Sequence, residues 1–529
     1  MNRRSLYNPV EEGEEMENYK AFLKNEIEEF RKTGHKFLDK EITKAEFKGI
    51  SGGMGVYAQQ DQRSFMIRLR TPSGLVSKAH LKLILSYVKK YGLEKVHLTT
   101  RQAVQLHDLE MDSVCDIMKD AIDHDLFTRG GGGNFPRNVS LSPLAGVDRE
   151  EAFDVTPYAL QVGNYFLENA PSYRLPRKLK VAFSCSEEDT AAASINDMGF
   201  LAVLEHGIPM FRMWLAGGMG QGPAVAIPYP SLVRPQEVLY YVEAMIQLFI
   251  AEGDYANKAK ARTRFIPRRM GTEAFLACFE KHLQEVKKTH QFEAIEPIVA
   301  EHVDCCERKE LNGTCIAQRQ EGLYTVILHP VCGQLSTEDL EKITAFVEPL
   351  QEAQVRLSME EELYVRNLTR EQAQELQNMM AHLMQTPVAR TLSCVGTPSC
   401  QMGILQSQKL CREILAAVEK AGLCDSRLPM IQISGCPNSC ARHQVAEIGF
   451  AGRKVRVGDQ SEDAFQLFVG GAVSGTDTHM GELQGVMLAR VIPQYIVELG
   501  TLLEQEQKSV SEIAGCSCFQ ELTEKFLVS

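Results

Sequence analysis

Between residues 15 and 40 (EMENYKAFLKNEIEEFRKTGHKFLDK) apolar side chains recur every three or four positions among charges, the pattern of an amphipathic helix. The glycine-rich stretch FKGISGGMGVYAQ reads as a turn, SFMIRLR as a strand, and SKAHLKLILSYVKKYG as a second helix. A strand VHLTT, the segment RQAVQLH and a helix from Met111 to about His124 follow. Further along come a strand-like run RKLKVAFSCS and a long helix PQEVLYYVEAMIQLFIAEGD that leads into the basic stretch NKAKARTRF. A helix SQKLCREILAAVEKAG and a strand MIQIS lie in the last third.

The first of these units occurs twice. A shift of 259 residues, with no gap, lays Phe65–Leu109 over Tyr324–Leu368 and brings nine identities into register, among them Leu81/Leu340, Ile84/Ile343 and Val88/Val347. Those three have the i, i+3, i+7 spacing of one helix face, so both copies keep the same core stripe. The copies differ in charge: Arg68 lies over Ile327, and Arg101 over Glu360. A residue needed for folding alone tends to be matched in both copies, so the cations kept only in the first copy point to an anion bound there.

At 529 residues the chain is too long for one core. Net charge is −12, which argues against nucleic acid as a partner. No apolar run reaches the ~18–20 residues of a membrane span, and no apolar signal core follows the first arginines, so a cytoplasmic location is expected. Fifteen cysteines in such a chain are not expected to form a disulfide framework. Cys115, Cys185, Cys278 and Cys411 have apolar neighbours and read as core residues.

Four other cysteines form two close pairs: Cys394 and Cys400 in CVGTPSC, Cys436 and Cys440 in GCPNSC. Two such pairs brought together suit a four-iron cubane, in which each iron takes one thiolate. Gly396, Pro398, Gly435 and Pro437 suit tight loops whose N–H groups can face sulfur. Zinc pairs are usually closer than the gap in CVGTPSC, so the spacing favours iron–sulfur over structural zinc or plain core cysteines.

At these residues the chain resembles the siroheme-dependent sulfite and nitrite reductases, whose signature is a C-x5-C loop followed about 35 residues later by G-C-x-N-x-C. FKGISGGMGVYAQ, LTTRQAVQLH, GGGGNFPRNVSLSP and LPRKLK also have counterparts there. The resemblance implies an α+β fold of pseudo-twofold, duplicated architecture, with two ferredoxin-like half-domains and two mixed α/β siroheme and iron–sulfur domains. The expected division is an N-terminal helical segment 1–44, half-domains 45–118 and 311–386, a siroheme and substrate domain 119–310, and a cluster domain 387–529.

The implied cofactors are siroheme and a [4Fe–4S] cluster on Cys394, Cys400, Cys436 and Cys440, with Cys440 also bridging to the siroheme iron. Arg68, Arg137, Lys178 and Lys180 match the family's anion-binding set, while Arg101, Gln105, His107 and Asn138 match cofactor-lining positions. Alternation along a strand puts Lys178 and Lys180 on one face, where each lowers the other's proton affinity. Alone, the lysine pair reads as a solvated edge face, Arg68 as a salt-bridged strand arginine, and His107 as a satisfied core histidine. Lys258, Lys260, Arg262 and Arg264 are candidates for cofactor carboxylates or an ordinary solvated run. Arg442 stands where many relatives have Gln, and GGMGQG at 217–222 reads as a loop, not a nicotinamide fingerprint.

Nitrite reductases of the plant type have Asn where this chain has Lys180, so the resemblance favours six-electron reduction of sulfite to sulfide, with nitrite reduction to ammonia as the alternative. No flavin- or nicotinamide-binding domain is apparent; ferredoxin is the implied electron donor, and a separate flavoprotein fits equally. The rival class is a [4Fe–4S] protein without siroheme, and absorption separates the two. The purified protein is expected to show a Soret band and a red band; broad iron–sulfur absorption alone would favour the rival.

Overall fold

A computed structural model describes residues 9–170, 172–298, 310–312, 314–383 and 386–528. Cys305 and Cys306 lie outside the described residues. The predicted first helix is found over Pro9–Leu38. Phe47–Ser51, expected within a turn, instead ends a second helix, Lys44–Ser51. The Thr43–Glu46 capping box satisfies the first N–H groups and starts that helix, which confines the turn to Gly52–Gly55.

The 259-residue shift carries over from sequence to structure. It superimposes the strands Phe65–Leu69 and Tyr324–Leu328, the helices Lys78–Lys90 and Thr337–Val347, and the strands Lys95–Leu98 and Gln354–Leu357. It does the same for the strands Val104–Leu109 and Leu363–Leu368. Leu81, Ile84, Val88 and their counterparts Leu340, Ile343 and Val347 are all buried. The copies also exchange a piece. Gln334–Ser336 of the second copy pairs with Lys95–Leu98 of the first, and Leu75–Val76 of the first pairs with Gln354–Leu357 of the second. Both half-domains therefore share one hydrophobic core.

A second duplication, with a shift of 250, relates the two remaining sheets. Val181–Ser184 corresponds to Ile431–Ser434, and Met198–Glu205 to the start of Ile448–Val457; each pair is parallel, and each second strand then runs into an antiparallel hairpin. Few identities survive here (Ser184/Ser434, Ala191/Ala441, Gly199/Gly449, Phe200/Phe450), so the sequence does not announce this repeat. The surviving glycines have a steric reason. A Cβ on Gly199 would overlap the carbonyl of Ala193, and one on Gly449 the carbonyl of His443. Gly449→Ala is expected to cost about 1–3 kcal/mol through overpacking and to lower the thermal midpoint. Gly49→Ala, which meets no neighbour, is the control expected to leave it unchanged or raised.

Candidate active site

The four cysteines gather between the second αβ sheet and the first half-domain. Cys394 follows the strand Leu392–Ser393, and its Sγ receives the N–H of Gly435 at 3.2 Å and lies 3.3 Å from Ser407 Oγ. Backbone N–H groups of Met402 and Gly403 face Cys400, and that of Asn438 faces Cys436. Gly396 has φ +58, and a Cβ there would crowd Ser407 and Leu405, so the loop between the first two cysteines needs glycine. Burial and mutual repulsion push the Cys394 and Cys400 thiols up, and burial pushes Cys436 to about 11. Four thiolates can share this space only around a positive core.

Among the described residues no three His, Cys, Asp or Glu side chains converge on one point, as a single zinc ion would require. A cubane spreads its thiolates over separate irons and so does not require that convergence. Cys440 is the exposed member, tied through its carbonyl to Thr100 Oγ1 at 3.1 Å.

The corresponding place in the first αβ unit is closed with hydroxyls. The N–H of Cys185 donates to Ser142 Oγ at 3.2 Å, matching the Gly435–Cys394 contact, and Ser142 Oγ lies 2.7 Å from Thr190 Oγ1, at the position of Cys440. The turn is held by the buried Asp189, whose carboxylate accepts from Ser184, Ala193 and Ser194.

Close to the cysteines lies a cluster of positive charge: Arg68 acts on Cys400, and Cys440 on Lys178. Arg68 and Gln105 are cross-strand partners, and so are Gln105 and His97, so these side chains form a row on one face of the sheet. With its amide oriented to suit its neighbours, Gln105 accepts from Arg68 at 2.6 and 2.9 Å and donates to His107 Nε2 at 3.1 Å. Arg68 also donates to the Gly131 carbonyl, and Arg137 to the carbonyls of Gly132 (2.6 Å) and Gly133 (2.8 Å). Arg101 is fixed by Asn196 Oδ1 and the Val181 carbonyl at 3.0 and 2.7 Å. Asn138 donates to the Arg101 and Gln102 carbonyls, which braces that turn.

Lys178 and Lys180 flank Leu179, which is buried and bridges to Pro136, so both lysines face away from the core. Burial, then Arg262 and Arg137, push Lys178 down to about 7; burial, then Lys178 itself, holds Lys180 well below the lysine range. Among the described residues none of Arg68, Arg101, Arg137, Arg177, Lys178 and Lys180 forms an ion pair with a carboxylate.

The basic stretch after the long helix divides. Lys258 and Lys260 are exposed, whereas Arg262 and Arg264 are buried. Arg262 pairs with Asp197 at 2.7 Å, and Arg264 holds the carbonyls of Gln221 and Gly222 in the GGMGQG loop, at 2.7 and 2.6 Å. The loop reading of that segment therefore holds: Gly218 and Gly220 are at φ 153 and 118, and Gln444 clasps Gly220 from the other αβ unit. Arg442 is no surface residue. It is buried against Glu360 at 2.8 Å, the residue that replaces Arg101 in the second copy. Cys278 is only half-buried, unlike Cys115, Cys185 and Cys411.

Arg177 was missed although it opens the RKLK motif, and Asp197 carried no sequence signal at all. Cys516 and Cys518 are half-buried free thiols.

This positive cluster has the chemistry of a polyanion site. Among the described residues, buried nitrogens of Arg101 and Arg264 and the Ser439 hydroxyl have no partner, and an acidic, haem-like macrocycle would supply acceptors for such donors. The chain belongs to the nitrite and sulphite reductase family: the nitrite and sulphite reductase 4Fe-4S domain matches residues 132–287 and 386–500, and the ferredoxin-like half domain matches 57–123 and 316–383. These enzymes carry a [4Fe–4S] cluster and siroheme.

Among its relatives is a ferredoxin–nitrite reductase of Synechococcus elongatus, 29% identical over 82% of this chain and 86% of the relative. A sulfite reductase [ferredoxin] 1 of Mycolicibacterium paratuberculosis is 25% identical over 89% and 87%. The Mycobacterium tuberculosis NirA structure matches with a TM-score of 0.76 at 25% identity, covering 89% of this chain and 90% of that one. Among the described residues no helix is long and apolar enough to cross a membrane.

The Lys178 ammonium is charged below pH 7 and loses its proton as the pH rises through about 7. Anion affinity should fall over the same range. Nitrite, which keeps its charge there, is the probe, titrated by its shift of the siroheme band. Lys178→Gln should bind more weakly at low pH and show a flatter profile.

Proposed function

We propose that the chain is a sulfite reductase that binds its substrate under Arg68, Arg137, Lys178 and Lys180. The observation that carries this reading is the set of side-by-side cations, none of which, among the described residues, forms an ion pair with a carboxylate. Sulfite near neutral pH is largely a dianion and nitrite a monoanion, so sulfite does more to hold the proton on a second buried lysine, and the pair favours sulfite.

Cys394, Cys400, Cys436 and Cys440 would hold the cluster. The exposed Cys440, close enough to Lys178 to act on its charge, would also meet siroheme, whose carboxylates Arg101 and Arg264 would take up. When bound, siroheme coupled to the cluster supplies the electrons and an iron site open to the anion. Everything else falls to the protein's own groups. Arg68 and Arg137 would grip oxyanion oxygens through paired N–H groups, with their orientation fixed by glycine-loop carbonyls. Lys178 and Lys180, with weakened hold on their protons, can release them from Nζ to oxygens that leave as water. Gln105 sets Arg68 and is itself set by His107. The electron donor proposed is a ferredoxin, the donor printed in the relatives' names.

Nitrite reduction is the second reading, favoured by the name of the 29% identical relative. Steady-state kinetics of the siroheme-loaded protein on both anions decides between them. Higher kcat/KM for sulfite is expected, and Lys180→Asn should move the ratio about tenfold or more toward nitrite, the scale of one buried charge contact. A wild-type preference for nitrite would reverse the assignment.

A further inference from the structure

Tyr57 is the middle residue of the strand Val56–Ala58. Val56 and Ala58 point into the core, which puts Tyr57 on the opposite face. Its register partner is Met66, and Arg68 follows two residues later on that face. The phenol therefore shares the sheet face that carries Arg68 and Gln105.

The same four-residue glycine loop that positions both arginines also positions this ring. Gly131 holds Arg68, Gly132 and Gly133 hold Arg137, and the N–H of Gly133 donates to the Tyr57 hydroxyl at 3.1 Å. Gly132 packs so closely on the ring that a Cβ there would overlap the hydroxyl. The phenol oxygen thus accepts one bond from the backbone, and among the described residues nothing accepts its proton.

Its surroundings are cationic. Burial alone would raise the phenol's proton affinity, but Arg137, then Arg68, the Gly133 N–H and Lys48 together bring it below the usual range. A phenol held by a backbone donor, beside two guanidinium groups and with a free O–H, is built as a hydrogen-bond donor to something negative.

We propose that Tyr57 is a further substrate-binding residue, its O–H donating to an oxygen of the anion gripped by Arg68 and Arg137. This rests on the reading of those arginines as the anion site. The neutral donor adds direction where the cations add charge. It reads an oxygen atom, so it acts on sulfite and nitrite and is indifferent to a small ligand of the iron that presents no anionic oxygen.

The test uses siroheme-loaded protein and two probes, sulfite and carbon monoxide, each titrated by its shift of the siroheme band. A hydrogen bond to a charged group is worth about 1.5–3 kcal/mol, so Tyr57→Phe should weaken sulfite binding about tenfold or more and leave carbon monoxide affinity within about twofold. Gly132→Ala, which keeps the hydroxyl but displaces it, should weaken sulfite in the same selective way. Equal losses for both probes would show a ring that merely props the pocket, and would overturn the proposal. Unchanged sulfite affinity in Tyr57→Phe, with large losses in Arg68→Ala and Arg137→Ala, would also overturn it while leaving the anion site standing. Unchanged affinity in the arginine variants would overturn the anion site itself, and the proposal with it.

Discussion

Burying positive charge without a carboxylate beside it is costly, and this chain does so several times in one place. Arg68, Arg101 and Arg137 are fixed by backbone carbonyls and amide oxygens, which orient a guanidinium without cancelling its charge. Asp197 is the exception, and it is committed to Arg262, Thr263 and the N–H of Lys180. Much of the local structure follows from that requirement. Carbonyls can reach Arg68 and Arg137 only if the loop that carries them lies flat against the neighbouring turn, and Gly52, Gly53 and Gly131–Gly133 leave no room for side chains between the two. Among the described residues no carboxylate forms an ion pair with Arg68, Arg101 or Arg137, and burial lowers the proton affinity of Arg101 and Arg137, so a bound anion would complete the charge balance.

The two duplications serve the site unequally. In the half-domains the first copy kept the cations, with Arg68 over Ile327 and Arg101 over Glu360. In the αβ units the second copy kept the thiols, while the first filled the same positions with Ser142, Ser186 and Thr190 and locked its turn with Asp189. One loaded site is thus assembled from opposite halves of a symmetric frame. Even the lapsed positions were reused: Glu360 now neutralises Arg442 on the cluster side, which keeps that arginine from adding to the positive charge.

How far the site could be read from sequence follows from the range of each interaction. The cysteine loops and the 259-residue repeat are legible from spacing, whereas the lysines of the RKLK motif gain meaning only from the family resemblance. Lys178 and Lys180 share a face because alternation in extended chain requires it, and the structure agrees. The second repeat was hidden because its turn positions were rewritten by chemistry: thiols in one copy, hydroxyls and a carboxylate in the other. Arg262 and Arg264 could not be separated from Lys258 and Lys260 by composition, since only the tertiary fold decides which half of a basic run turns inward. The amides of Asn138 and Gln105, which the resemblance implies line the cofactor, also brace the Arg101 turn and set Arg68.

The strand exchange explains why these halves can be trusted to stay in register. Leu335 lies opposite Val96 and Val76 opposite Val355, so neither half-domain completes its sheet alone. His97, at the edge of the exchanged pairing, sits next to Gln105 in the row that ends at Arg68, and its other neighbour, Gln334, belongs to the second copy. A shift of one half against the other would therefore disturb the row of side chains that holds Arg68. The core that joins the half-domains and the row of polar side chains proposed to meet the anion are two faces of one sheet, and the alternation of a single strand, Phe65–Leu69, assigns Ile67 to one and Arg68 to the other.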